Sequence, residues 1–257
     1  MADSQQLQIA HAGNEFLAVL ARTKNPKFRE ALERASKMTP EEMQADYEQR
    51  RQQERDMLRS THIERLRLSS GMDVSDYKRT ISAYNPKTDS EAKAKEKVAY
   101  AINVWPEKRI SLYLHSPENE EERYGAGKSH LAVAYGLAVI EKGYRVRYWY
   151  MPNFCEGIRR SWSDEGYQTP CVAAKECDLL ILDDIEKDHW EPHTNLYPRV
   201  LAVLEYRCKE GKPIVVTSNM SLKALGNTFG GNLADRLGMC KEIEVAGPSG
   251  RRNKLSA

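Results

Sequence analysis

Gly125-Ala126-Gly127-Lys128-Ser129 is the run in this sequence whose residue types and spacing do the most definite chemistry. Glycines let successive backbone N–H groups curl around phosphate oxygens. A lysine next to them neutralises the β- and γ-phosphates, a serine hydroxyl ligates Mg2+, and a helix starting there adds the positive end of its dipole. The run follows the apolar stretch Leu112-Tyr113-Leu114 and opens a helical pattern, the strand–loop–helix context such a loop requires. It departs from the usual pattern at Glu122, where glycine is standard. With Ser116-Pro117 as the loop entry, Glu118–Arg123 becomes an insert carrying Glu118, Glu120, Glu121 and Glu122. Carboxylates beside a triphosphate repel it, so the insert either loops into solvent or weakens nucleotide binding. The plain alternative is a glycine-rich turn that binds nothing.

Further along, Leu179-Leu180-Ile181-Leu182 ends in Asp183-Asp184. Acids at the carboxyl end of a buried parallel strand sit where open α/β sheets place their ligands. Asp183 is the candidate for the Mg2+ shell, and Asp184 for orienting or deprotonating an attacking water; the alternative is that both cap a following helix. Ile214-Val215-Val216-Thr217-Ser218-Asn219 is a third such run, whose terminal Asn219 amide can reach a γ-phosphate and its water. Ala234-Asp235-Arg236-Leu237 and Gly247-Pro248-Ser249-Gly250-Arg251 supply Arg236 and Arg251, which can stabilise charge on a transferring phosphoryl group in cis or in trans. A surface arginine paired with Asp235 is the plainer reading of Arg236.

The elements that must position these residues fall into two grammars. Up to about residue 105 the apolar residues recur at helical spacing with no convincing strand. Phe16, Leu17, Val19 and Leu20 form one cluster, and Phe28, Ala31, Leu32 and Ala35 another. Thr39-Pro40-Glu41-Glu42 is a helix start, and the run from Glu41 to Leu68 is so charged that it buries little, as a connector or one face of a docking surface. Thr88 to Trp105 reads as a further helix. From Ile110 short β-rich runs (Ile110–His115, Val146–Tyr150, Leu179–Asp183, Ile214–Thr217 and Ile243–Val245) alternate with helical segments, notably His130–Lys142 and Leu196–Lys209. That alternation implies a mostly parallel sheet covered on both faces. The expected division is a helical partner-binding domain at 1–68, a linker and leading helix at 69–106, and an ATPase domain at 107–257.

Composition excludes several classes. No apolar stretch is long enough to span a membrane, and the amino terminus lacks a basic segment followed by an apolar core, so a cytoplasmic location is expected. The 5 cysteines form no CxxC pair, which argues against a zinc site or a disulfide framework. A net charge of +2 neither requires nor forbids a nucleic-acid partner, because a local basic stripe matters more than the total. One candidate stripe follows the second strand, where Phe154, Arg159, Arg160 and Trp162 mix stacking and phosphate-binding types. Alternatively the aromatics are core and the arginines solvated.

With these blocks in order, residues 62–257 resemble the DnaC/IstB family of AAA+ proteins, which contains replicative-helicase loaders and the ATPase helpers of certain transposases. The resemblance rests on Gly125 to Ala132, Leu179–Asp184, Arg207 with Gly211-Lys212-Pro213, Thr217-Ser218-Asn219, Ala234 to Leu237, and Gly247-x-Ser249-x-Arg251. It implies an α/β AAA+ P-loop sheet of order 5-1-4-3-2, ATP and Mg2+ at its carboxyl edge, and no helical lid after the last strand. It brings His130 into the nucleotide set, makes Arg236 the finger offered to a neighbour in a ring or spiral of copies, and makes Arg251 a second sensor. The implied partners are a DnaB-type replicative helicase, docked through the amino-terminal helices, and single-stranded DNA. A transposition helper on duplex DNA and a non-hydrolysing adaptor are the alternatives. A P-loop kinase fits less well, because no acceptor-binding lid is recognisable.

Overall fold

The computed structural model describes residues 26, 27, 30, 34, 37–117, 125–164 and 166–248. The chain divides into two compact units, residues 1–60 and 61–257. The described part of the first is dominated by the leading two-thirds of helix α1 (Pro40–Ser69). The helix start expected at Thr39-Pro40 is present, and it is closed by a capping box. Thr39 Oγ1 accepts from the Glu42 backbone N–H at 3.2 Å, and the Glu42 carboxylate accepts from the Thr39 N–H at 2.7 Å. Between Pro40 and Ser60 no side chain of α1 is buried, as its charge density requires.

The second unit is built on five parallel strands: β1 (Leu112–His115), β2 (Val146–Tyr150), β3 (Leu179–Asp183), β4 (Ile214–Ser218) and β5 (Lys241–Glu244). Their order is β2-β3-β4-β1-β5, which read from the other edge is the expected 5-1-4-3-2. β1, β3 and β4 are buried throughout and read as continuous apolar runs. Alternate side chains point to opposite faces. Leu112, Leu114, Leu179, Ile181 and Val215 meet α2 (Asp89–Asn103) and α3 (Lys128–Glu141) on one face. Tyr113, Leu180, Leu182, Ile214 and Val216 pack on the other with α4 (Met151–Ser163), α5 (Pro170–Glu176), α6 (Tyr197–Lys209), α7 (Leu222–Phe229) and α8 (Gly231–Leu237). β5 starts at Lys241 rather than at the expected Ile243, because three of its four residues are charged and exposed on the sheet's edge.

The remainder of α1 belongs to this unit. Ile63 and Leu66 enter the first core, and the chain then runs beside edge strand β2. The Ser70 carbonyl accepts from the Tyr148 N–H at 2.7 Å, and the Arg147 guanidinium donates to the Ser69 carbonyl. Gly71 makes the approach possible: its φ is 84°, and a Cβ there would lie 2.5 Å from the Tyr148 carbonyl oxygen. This pairing covers part of an edge that would otherwise expose unpaired backbone groups. Behind the sheet, the buried Arg207 guanidinium donates to the carbonyls of Ala174 (2.7 Å), Cys177 (2.9 Å) and Pro213 (2.6 Å), tying α5 to the entries of β3 and β4. All 5 cysteines are free. No helix among the described residues is long and apolar enough to cross a membrane.

Candidate functional site

Because all strands run the same way, the carboxyl ends of β1, β3 and β4 bring the phosphate loop, the acid pair and Asn219 to one edge. A cleft of about 270 Å³ opens there, lined by Arg79, Gly125, Gly127, Lys128, Ser129, His130, Asp184, Lys187 and Asn219. The phosphate-loop glycines adopt the left-handed backbone expected of them, with φ of 87° at Gly125 and 89° at Gly127. Ala126 is buried beside them. Gly127 caps α3, so the first N–H groups of that helix face the loop. Lys128 is buried; its ammonium donates to Ser116 Oγ at 2.6 Å and to Asn219 Oδ1 at 3.0 Å.

The segment before the sheet holds this loop from outside. Tyr84 donates its hydroxyl to the Ala126 carbonyl at 2.8 Å, and a Cβ at Gly127 would come within 2.5 Å of the Tyr84 ring. His130 stands edge-on to Tyr84, and its Nε2 donates to the Thr80 carbonyl at 2.9 Å. Burial holds the His130 pKa below the usual histidine value, so the ring is neutral at pH 7. Arg79 reaches the cleft from its ion pair with Asp76 at 3.2 Å. The motif reading left out Arg79, Tyr84 and Lys187; the spacing of neither neighbouring residues nor any local motif marks them.

The two acids are differently placed. Asp183 is buried, and its two oxygens accept from Thr217 Oγ1 (2.6 Å) and the Tyr148 hydroxyl (2.8 Å). Asp184 lines the cleft with a left-handed backbone (φ 54°) and donates its N–H to Thr217 Oγ1 at 2.8 Å. Neither acid caps a helix, since the next one begins at Tyr197. Burial, with the charges of Asp183 and Glu186 beside it, raises the Asp184 pKa to about 6, against the opposing pull of Lys128 and Lys187. Mg2+ takes one or two protein oxygens and otherwise phosphate and water. The donor set fits that pattern, with the Ser129 hydroxyl in the cleft and the Asp183 carboxylate one residue behind Asp184.

Other expected site residues lie elsewhere. Arg236 stands on α8 outside the cleft, facing Glu205 at 3.6 Å and not Asp235. Arg251 and the insert Glu118–Arg123 fall outside the described residues. The proposed stacking role of Phe154 is corrected: its ring is fully buried, 5.3 Å from the Trp149 ring, because its position on α4 faces the second core. Arg159 is engaged by Asp188 at 2.9 Å and Glu156 at 3.5 Å. Arg160 lies 4.6 Å from the Tyr167 ring centroid, and Trp162 is 49% exposed.

Comparison with known proteins bears on this arrangement. A family model described as IstB-like ATP binding protein matches residues 18–257. The chain belongs to the IstB-like ATP-binding protein family. This IstB-like chain is 29% identical over 141 residues to a Sinorhizobium fredii (strain NBRC 101917 / NGR234) protein named as an insertion sequence ATP-binding protein, y4iQ/y4nD/y4sD. That match covers 54% of this chain and 43% of the relative, so the chain spans less than half the length of the curated protein it matches. Among solved structures, DnaI is similar with a TM-score of 0.57 at 20% identity, over 69% of this chain and 93% of that one. The DnaC helicase loader gives 0.55 at 20% identity, over 67% and 99%. AMPPCP-bound DnaA from Aquifex aeolicus gives 0.56 at 20% identity, over 65% and 50%. At these identities the likeness establishes the fold, an AAA+ one. The IstB-like chain therefore carries the phosphate loop of an ATP-binding family on the sheet that such a loop requires.

Proposed function

We propose that this IstB-like protein is a Mg2+-dependent ATPase that acts as a nucleotide switch on a protein partner at DNA, in the manner of a transposition helper. The observation that carries the proposal is the convergence of Lys128, Asp184 and Asn219 on the cleft at the mouth of the Gly125–Ser129 loop. The glycine backbone and the α3 N-terminus would bind phosphate oxygens, and Lys128 would move from Ser116 and Asn219 to the β- and γ-phosphates. Ser129 and Asp183 would hold Mg2+, which when bound supplies charge neutralisation between the β- and γ-phosphoryl oxygens. Asp184 would take a proton from the attacking water, and a base with a pKa near 6 is unprotonated at neutral pH yet basic enough to accept one. Arg236, half-buried on α8 and away from this chain's own cleft, would serve a neighbouring copy in a ring or spiral, with Arg251 as a second sensor.

The helper role is favoured over helicase loading by the family match and by the insertion-sequence relative. The two roles share the ATP site and differ in the partner taken by the amino-terminal helices of residues 1–68 and in whether duplex or single-stranded DNA is bound. Arg160 and Trp162 remain the candidates for DNA contact, with Arg159 beside them. The test is co-sedimentation of the full chain on DNA with ATP, offered a transposase of the insertion-sequence class or a DnaB-type helicase. ATP-dependent recruitment of the transposase supports the proposal, and recruitment of the helicase alone replaces it with the loader role. Recruitment unaffected by ATP or by Lys128→Ala would make the chain an adaptor.

A further inference from the structure

Two residues beyond Asp184 stands a carboxylate that the phosphate-loop chemistry does not use. Glu186 accepts from Asn219 Nδ2 at 2.6 Å, from the Asn219 backbone N–H at 3.1 Å and from Ser218 Oγ at 2.9 Å. It is fixed there by its own backbone: the Ile185 N–H donates to the Thr217 carbonyl at 3.0 Å, and the left-handed turn at Asp184 closes with the Lys187 N–H on the Asp184 carbonyl at 2.9 Å.

Chemistry decides which way the Asn219 amide faces. An ammonium only donates and an ionised carboxylate only accepts, so the atom facing Lys128 at 3.0 Å is the amide oxygen and the atom facing Glu186 at 2.6 Å is the amide nitrogen. The side chain thus bridges a cation and an anion. A γ-phosphate is itself an acceptor, so the Asn219 side chain can contact it only through Nδ2, whose two N–H groups can serve Glu186 and a phosphate together.

We propose that Glu186 is a positioning residue for Asn219: it turns the amide so that the oxygen meets Lys128 and the nitrogen is presented as the donor to a terminal phosphate. The inference rests on the ATP reading of the cleft and deepens it. Only a nucleotide with a γ-phosphate uses that donor, so Glu186 sets how strongly the site distinguishes ATP from ADP. Hydrogen bonds to a charged acceptor are the strong ones, so a misdirected amide is read directly in that ratio.

The experiment is a double-mutant cycle on the full chain, measuring binding of fluorescent ADP and of a fluorescent non-hydrolysable ATP analogue. Glu186→Ala is expected to lower the ratio of ATP-analogue to ADP affinity about tenfold, the scale of one charge-assisted hydrogen bond, and Glu186→Gln, which still accepts from Asn219, to lower it less. In the Asn219→Ala background the effect of Glu186→Ala should vanish. A rise in either background would mean simple charge repulsion, and an equal fall in that background an effect that bypasses Asn219; each would overturn the positioning role. An unchanged ratio in Glu186→Ala with Asn219 intact overturns it as well. Should Glu186→Ala fail to fold, the Glu186→Gln cycle decides by the same criterion. Wild-type protein that binds neither nucleotide removes the ATP reading and this inference together, whereas binding without coupling removes the inference alone.

Discussion

Asp184 concentrates the cost and the use of the site in one residue. Its backbone is left-handed (φ 54°) and its carboxyl is largely shielded from water, with two acids nearby. Each feature costs stability and each belongs to a working group more than to a structural one. A carboxyl whose folded pKa lies above its unfolded value keeps its proton more readily in the fold. Its contribution is therefore favourable at low pH and is lost as pH rises through about 6. Asp184→Asn should accordingly raise the melting temperature above about pH 7 and change it little below about pH 4, where the wild-type group is neutral in the fold. The same variant should lower kcat roughly 10²- to 10⁴-fold. In the wild type kcat/KM should fall as pH drops through about 6, and that limb should be missing from the residual activity of the variant. Melting curves and pH–rate profiles of the two proteins check this. Lys128, Asp183, Asp184 and Asn219 were legible in the sequence because each ends a patterned run. Glu186 was not, because nothing in Ile185-Glu186-Lys187 says that the chain turns back and delivers that carboxylate to the neighbouring strand.

Elements explain how the cleft keeps its shape. The loop is held by its own glycines and, from outside, by Tyr84, which arrives from the segment between α1 and α2. Gly127→Ala would place a methyl within 2.5 Å of the Tyr84 ring at a φ of 89°. The expected result is a loss of about 2 kcal/mol of stability together with loss of nucleotide binding, read by denaturant melts and by fluorescent-nucleotide titration. A change in stability with binding intact would show that the ring only packs against the loop. The three inner strands and their helices were readable, since continuous apolar runs between turn residues leave few alternatives. α7 and α8 were not: at eight and seven residues they are too short for a helical period to show. Phe154 was assigned a ligand role that its place on α4 denies, because an aromatic beside arginines reads the same whether its face of the helix looks outward or into a core.

At the scale of the molecule, a parallel sheet with a phosphate-binding carboxyl edge is joined to a charged amino-terminal helix that buries almost nothing between Pro40 and Ser60. α1 continues into Ser69-Ser70-Gly71, whose backbone lies against β2 at Tyr148, and the Tyr148 hydroxyl holds Asp183. The chain thus has a bonded route from the end of α1 to the carboxylate expected at the metal. Sequence patterning gave the sheet order only through family resemblance, since strand order depends on how crossovers pack and leaves no local mark. The central claim is that the Gly125–Ser129 cleft binds ATP and hydrolyses it. The measurement that tests it most directly is ATP binding and turnover by the purified chain with Mg2+, with and without DNA, beside Lys128→Ala. Binding with turnover that DNA stimulates, both absent in the variant, is the predicted result. Wild-type protein that binds no ATP at millimolar concentration, or turnover that survives Lys128→Ala, would contradict it.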